Sequence, residues 1–274
     1  LLEDITAENS NNVRQLLFDN KGALWVGTYN GLKIVNEDKS FITLKADLDN
    51  KNSLSKNSVK SLFKDKKGSV WIGTYYGGIN IWDDTNINFR SISQNQKGKG
   101  LNYTVVSSIE NYKNYIFFGT EGGGVTIWDK QNNSFQYLTK TNSTLSDNNI
   151  KSLRVLDDIL WIGSFKNGIC LYNLRTKKFV TKRLSEELVD FLKDVGVYAI
   201  KRDVHQNVWI GTFGKGLIKY NLESKMFQRI YHFEENKNGL SSNLIRTISV
   251  GAENNIWVGT ERGLNKIAPN GSIT

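Results

Sequence analysis

Short apolar runs separated by polar turns fill this chain, and few of them fall at helical spacing. The first four read VRQLLF, ALWVGT, GLKIVN and SFITLK, and each is short enough to be one strand. The phrase around the second and third then recurs. LWVGTYNGLKIVN begins at Leu24, VWIGTYYGGINIWD at Val70, IFFGTEGGGVTIWD at Ile116, LWIGSFKNGICLYN at Leu160, VWIGTFGKGLIKYN at Val208 and IWVGTERGLNKIAP at Ile256. The first glycines of these copies, Gly27, Gly73, Gly119, Gly163, Gly211 and Gly259, lie 46, 46, 44, 48 and 48 residues apart. A period of this size means a solenoid or a propeller.

The connections decide between them. Asp19-Asn20-Lys21-Gly22 and Asp65-Lys66-Lys67-Gly68 join first to second strands, and Gly-rich pairs such as TYNG and TEGGG join second to third. Links this short force antiparallel neighbours. Four antiparallel strands per repeat make a propeller blade, so the expected fold is all-β, a single β-propeller over residues 1–274. Its repeats are approximately 11–47, 57–94, 104–140, 148–184, 196–233 and 243–274. The sixth lacks most of an outer strand, and LLEDIT, residues 1–6, is expected to supply it and close the ring. An incomplete seven-bladed ring is the alternative.

One column of aromatics, Trp25, Trp71, Phe117, Trp161, Trp209 and Trp257, is expected to pack between blades, since a ligand seldom needs the same residue in every blade. The glycines two residues on allow close backbone approach. One blade-to-blade segment, SEELVDFLKDV, is expected to be a short helix: Ser185 can cap it, and Leu188, Leu192 and Val195 recur at helical spacing. Leu184 and Val189 are placed for a hydrophobic staple.

An apolar strand, Asp-x-x-Gly, LWVGT, then Gly-Leu and another apolar strand together resemble the two-component regulator propeller repeat, over nearly the whole chain. Repeat three departs most, with Asn111 and Asn114 for Asp and Gly, and repeat four has a shortened turn at Asp157-Asp158. The resemblance implies an extracytoplasmic, periplasmic sensor region of a bacterial hybrid two-component system. Such a region would report oligosaccharides to a histidine kinase, with the rest of the parent receptor and a second copy as expected partners. The abrupt start at LLEDIT suits a sensor domain excised from its anchor and kinase.

Composition narrows the partners. One cysteine, Cys170, excludes an internal disulfide framework, and no apolar run is long enough to span a membrane. Lys and Arg exceed Asp and Glu by 36 to 27, a net charge of +9, yet no nucleic-acid motif accompanies it. His205 and His232 show no metal spacing, so neither a metal nor a cofactor is expected. An enzyme is disfavoured, a propeller lyase of the streptogramin-inactivating type being the best such alternative; a purely structural or dimerising propeller is the other.

Candidate binding residues sit where strands repeat and loops diverge. The loops between second and third strands carry Tyr29, Asn30, Tyr75, Tyr76, Glu121, Phe165, Asn167, Phe213, Lys215, Glu261 and Arg262. Aromatics there can stack on sugar rings, and Asn30, Asn167 and Lys215 can take hydroxyls. Aligning the first strands puts Arg14, Lys60, Ser107, Lys151, Tyr198 and Arg246 in one column. Four cations so close need negative company: either Glu121 and Glu261, or an anionic ligand such as a sulfated or uronic-acid oligosaccharide.

Overall fold

A computed structural model describes residues 12–48, 50, 52–83, 92–94, 100–180, 183–234 and 239–274. Two compact units divide the chain, Leu1–Leu138 and Thr139–Thr274. Each holds three antiparallel sheets whose strands follow one another in chain order, as hairpin-length links require.

In the first unit, blade 1 comprises Val13–Phe18, Leu24–Thr28, Gly31–Val35 and Phe41–Leu44. Blade 2 comprises Val59–Lys64, Val70–Thr74 and Gly78–Trp82, with Ile92 bridging Ile79 where an outer strand would begin. Blade 3 comprises Val106–Tyr112, Tyr115–Thr120, Gly124–Asp129 and Ser134–Leu138. The second unit repeats the plan. Blade 4 comprises Ile150–Leu156, Ile159–Ser164, Ile169–Asn173 and Lys178–Val180; blade 5 comprises Gly196–Arg202, Asn207–Phe213, Leu217–Asn221 and Phe227–Ile230. Blade 6 comprises Ile245–Val250, Ile256–Thr260 and Gly263–Ile267. Its outer strand is just begun: Ile273 bridges Ile267, and Lys266 exchanges two backbone hydrogen bonds with Thr274. The expected closing strand, residues 1–6, lies outside the described residues.

Inside each unit, the first strands of successive blades pack side by side. The aromatic column lies at these joints, with Trp25, Trp71, Trp161 and Trp209 buried; Phe117 is buried as well, and Trp257 is half-buried. Burying a side chain of this kind contributes about 1.5–3 kcal/mol. The repeated glycine is needed at the same joint. A Cβ on Gly163 would stand 2.5 Å from Val197 O of the next blade, and one on Gly211 would stand 2.6 Å from Ile245 Cγ2.

The Asp of the first turn proves to have a second task. Asp19, Asp65 and Asp203 accept hydrogen bonds from the indole Nε1 of Trp25, Trp71 and Trp209 at 2.9, 3.2 and 2.9 Å. In repeat three, Asn111 lies inside the first strand, and the turn is the residue pair Lys113-Asn114, with Lys113 at φ 54°.

The helix forms over Glu186–Leu192 with Ser185 as its cap, and Leu188 and Leu192 buried. Val189 is 48% exposed, so Leu188, rather than the expected staple residue, carries the packing. Cys170 is half-buried, its thiol 3.1 Å from Ser146 Oγ. No helix among the described residues is long and apolar enough to cross a membrane.

Candidate functional site

Every blade opens with a β-bulge at one place. The pairing of first and second strands skips a residue between Val13 and Gln15, Val59 and Ser61, Val106 and Ser108, Ile150 and Ser152, Val197 and Ala199, and Ile245 and Thr247. The skipped residues are Arg14, Lys60, Ser107, Lys151, Tyr198 and Arg246, the whole column read from the sequence. A bulge bends its strand and re-aims the extra side chain, so the same position is set apart from the regular alternation in each blade.

The loops they meet are equally uniform. The Thr or Ser that follows each repeated glycine donates its hydroxyl across the loop: Thr28 to Gly31 O, Thr74 to Gly78 O, Thr120 to Gly124 O, Ser164 to Gly168 O, Thr212 to Gly216 O and Thr260 to Gly263 O. Loop amides also bond the segment before a first strand, as Tyr75 N does to Ser58 O and Glu261 N to Leu244 O. The loops thus share one closing bond in two lengths, with two residues between Thr and Gly in blades 1 and 6 and three between Thr or Ser and Gly in blades 2 to 5, while their side chains vary.

In the first unit, the Arg14 guanidinium lies 5.0 Å from the Tyr29 ring centroid and donates to Ser58 Oγ at 3.3 Å. The Lys60 ammonium lies 5.1 Å from the Tyr75 ring and 3.0 Å from Glu121 Oε1. Tyr75 meets Tyr76 edge-on at 4.3 Å. The Tyr75 phenol is held above its ordinary pKa, first by its hydrogen bond with Tyr76 and then by that neighbour's charge; Glu121 adds to the shift and Arg14 opposes it. These residues therefore share one electrostatic environment.

In the second unit, Tyr198 is the centre. The Lys151 ammonium lies 5.3 Å from its ring and 5.1 Å from that of Phe165. The Arg246 guanidinium lies 5.5 Å from Tyr198 and 5.0 Å from Phe213, with Nη2 3.3 Å from Glu261 Oε1. Tyr198 and Phe213 meet edge-on at 4.9 Å. Seating a cation on a ring contributes about 0.5–2 kcal/mol, more as water is excluded. The acids expected beside the cations are there: Glu121 takes Lys60 and Glu261 takes Arg246.

Other sequence-predicted residues are placed elsewhere. Lys215 donates to Phe191 O at 2.8 Å, next to the helix end, with its ammonium over the Phe191 ring. Asn167 reaches back to Ser146 O and Asp147 Oδ2, each at 3.4 Å. Asn30 and Arg262 are exposed, and each gives its backbone N–H to the loop threonine. Ser58 joins the Arg14 cluster without a signal in the sequence, since a lone serine in a polar segment carries none. No group of three His, Cys, Asp or Glu that could hold a metal occurs among the described residues. His232 Nδ1 sits 2.7 Å from Leu240 O in a blade-to-blade segment.

Comparison with known proteins agrees with the fold. The model of the two-component regulator propeller family matches residues 7–30, 53–76 and 239–262. Histidine kinase P4 of Formosa agariphila is 40% identical over 63 residues, 23% of this chain and 4% of that protein. A crystal structure of the extracellular domain of BT3049 from B. thetaiotaomicron, described as a hybrid two component system, superposes with a TM-score of 0.71 at 21% identity. That match covers 94% of this chain and 40% of the other. Virginiamycin B lyase from Staphylococcus aureus superposes with a TM-score of 0.65 at 13% identity, covering 97% of this chain and 84% of the lyase. The chain thus spans about two-fifths of the length of BT3049's crystallised domain, and both superpositions identify the fold, a β-propeller. Three of the six repeats, the first, second and sixth, thus match the two-component regulator propeller repeat.

Proposed function

We propose that this chain is a ligand-sensing propeller of a bacterial hybrid two-component receptor, lying outside the cytoplasm, and that its signal is an oligosaccharide bearing sulfate or uronic-acid groups. The column supports this reading. The same bulge position holds Arg14 and Lys60 in the first unit and Lys151 and Arg246 in the second, each cation rests on an aromatic ring, and Tyr29 and Tyr76 leave 60% and 58% of their surfaces exposed. Aromatic faces stack on sugar rings, and guanidinium groups take carboxylate or sulfate through paired hydrogen bonds. Ion pairs with Glu121 and Glu261 hold the side chains in position, so an anionic ligand competes with those carboxylates rather than meeting disordered chains.

Titration calorimetry against neutral, sulfated and uronic-acid oligosaccharides tests the reading. An acidic oligosaccharide should bind, with affinity falling as salt is added, and Arg246→Ala should weaken it about tenfold. Tight, salt-independent binding of a neutral glycan that Arg246→Ala leaves unchanged would show that the column only fastens the blades. Silence across the whole panel would favour a structural or dimerising propeller.

A further inference from the structure

One position on the third strand closes the joints inside each unit. It is the partner, across the sheet, of the residue preceding the column aromatic: Val35, Trp82, Trp128, Tyr172, Tyr220 and Ile267. In the first unit Trp82 stands edge-on to Trp25 at 5.9 Å, and Trp128 tilts against Trp71 at 6.0 Å. In the second unit Tyr220 is fully buried in one apolar cluster with Trp161. Each of these joints is plugged by a ring from the following blade.

The joint between blades 5 and 6 is different. There the plug is Ile267, and a cavity of about 330 Å³ opens, lined by both Ile267 and Trp209. A second departure falls at the same joint. The residue paired with the column aromatic is Ile34, Ile81, Ile127 and Leu171 in blades 1 to 4, but Lys219 in blade 5 and Lys266 in blade 6. The Lys219 ammonium lies 5.5 Å from the Trp209 ring and also lines the cavity. Ile256 and Ile273 add apolar walls, and the exposed pair Tyr231 and Phe233, 5.4 Å apart, adds aromatic ones. Asp203, the carboxylate among the lining residues, is spent on N–H groups of His205, Asn207 and Trp209.

We propose that this cavity is a binding site for a small planar aromatic ring carrying an acidic group. The space is where neighbouring joints hold an indole or phenol of their own, so its walls suit a flat ring of that size. Lys219 and Arg229 bring positive charge to its edge, and no ion pair of Lys219 with a described carboxylate is present, so a bound carboxylate is its natural complement. The volume is at the small end of ligand pockets and fits one aromatic acid rather than an oligosaccharide. The site is separate from the bulge column, and its test does not depend on the sensing proposal.

Indole-3-acetate is the probe, with indole and cyclohexanecarboxylate as controls, followed by ligand-observed NMR on the intact chain. Saturable binding of indole-3-acetate, tighter than of either control, is expected. Ile267→Trp supplies the missing ring from within and should weaken the probe about tenfold or more, with melting still cooperative. Lys219→Ile restores the residue of blades 1 to 3; indole should still bind, and the preference for the acid should fall about tenfold. Absence of saturable binding to the unaltered chain overturns the proposal, as does undiminished binding by a folded Ile267→Trp protein. Should Ile267→Trp not fold, Lys219→Ile decides alone, and an unchanged preference for the acid overturns it.

Discussion

Blades 4 and 5 carry nearly the same strand phrase, LWIG and VWIG, yet treat their tryptophans differently. In blade 5, the buried Asp203 accepts from the N–H groups of His205 and Asn207, the Asn207 side chain and Trp209 Nε1, at 2.9–3.0 Å. In blade 4 the turn is only Asp157-Asp158, Asp157 takes φ 56°, and its carboxylate faces Arg202 and Arg183 at 3.0 and 3.5 Å. Trp161 Nε1 is then buried with no hydrogen-bond partner among the described residues. Blade 3, whose turn is equally short, places Phe117 in the column and has no N–H to satisfy. The longer turn is therefore more than a connector: it brings a carboxylate under the ring. A shorter turn works best with a ring that donates nothing.

The largest effect that sharpens this contrast is expected from Asp203→Ala. It strands the Trp209 and Asn207 donors in a buried place, where each unsatisfied group costs about 1–3 kcal/mol. Urea denaturation should show a loss of about 3 kcal/mol; Asp157→Ala should lose far less, since its ion pairs are at the surface. Equal losses at the two aspartates would erase the distinction.

A smaller difference should appear with pH. Burial alone would raise the Asp203 pKa, but hydrogen bonds from Asn207 and Trp209, with backbone N–H groups of Asn207 and His205, outweigh it and hold the carboxyl below its ordinary value. A carboxyl with a depressed folded pKa contributes stability that is complete above the unfolded pKa of about 4 and fades as pH falls through the folded one. Urea midpoints should therefore drop below about pH 4 in the parent chain. Asp203→Asn should show a shallower drop, and parallel curves would remove the ionised Asp203 from the account.

The smallest effect is also the most discriminating. Trp161→Phe deletes an orphaned donor along with some apolar area, and should shift stability by about 0.5 kcal/mol or less. Trp209→Phe breaks a made bond and should cost about 1–2 kcal/mol. A larger cost at Trp161 than at Trp209 would mean that ring size, not the hydrogen bond, governs the column.

Much of this was legible beforehand because it is local. Alternation and hairpin chemistry marked the strands, Ser185 and the leucine spacing marked the helix, and alignment of the first strands found all six bulge positions without showing that they are bulges. The candidate site was legible as a column but not as a set of partners. Lys215 and Lys151 look alike in the sequence; one ends on Phe191 O beside the helix, the other between Phe165 and Tyr198. The missing ring at Ile267 was also open to reading, since it breaks the run Trp82, Trp128, Tyr172, Tyr220, but it acquires meaning only when the facing Trp209 is known.

The sequence by itself determined the number of repeats, their strands and order, and which residues share a register, because those follow from side-chain periodicity and turn chemistry within a few neighbours. Tertiary structure alone decided what each side chain meets. Arg14 finds Ser58 from 44 residues away, and Lys60 finds Glu121 from 61. Such pairs are set by how one blade's face packs on the next and by where a bulge turns the strand, and no local pattern encodes either.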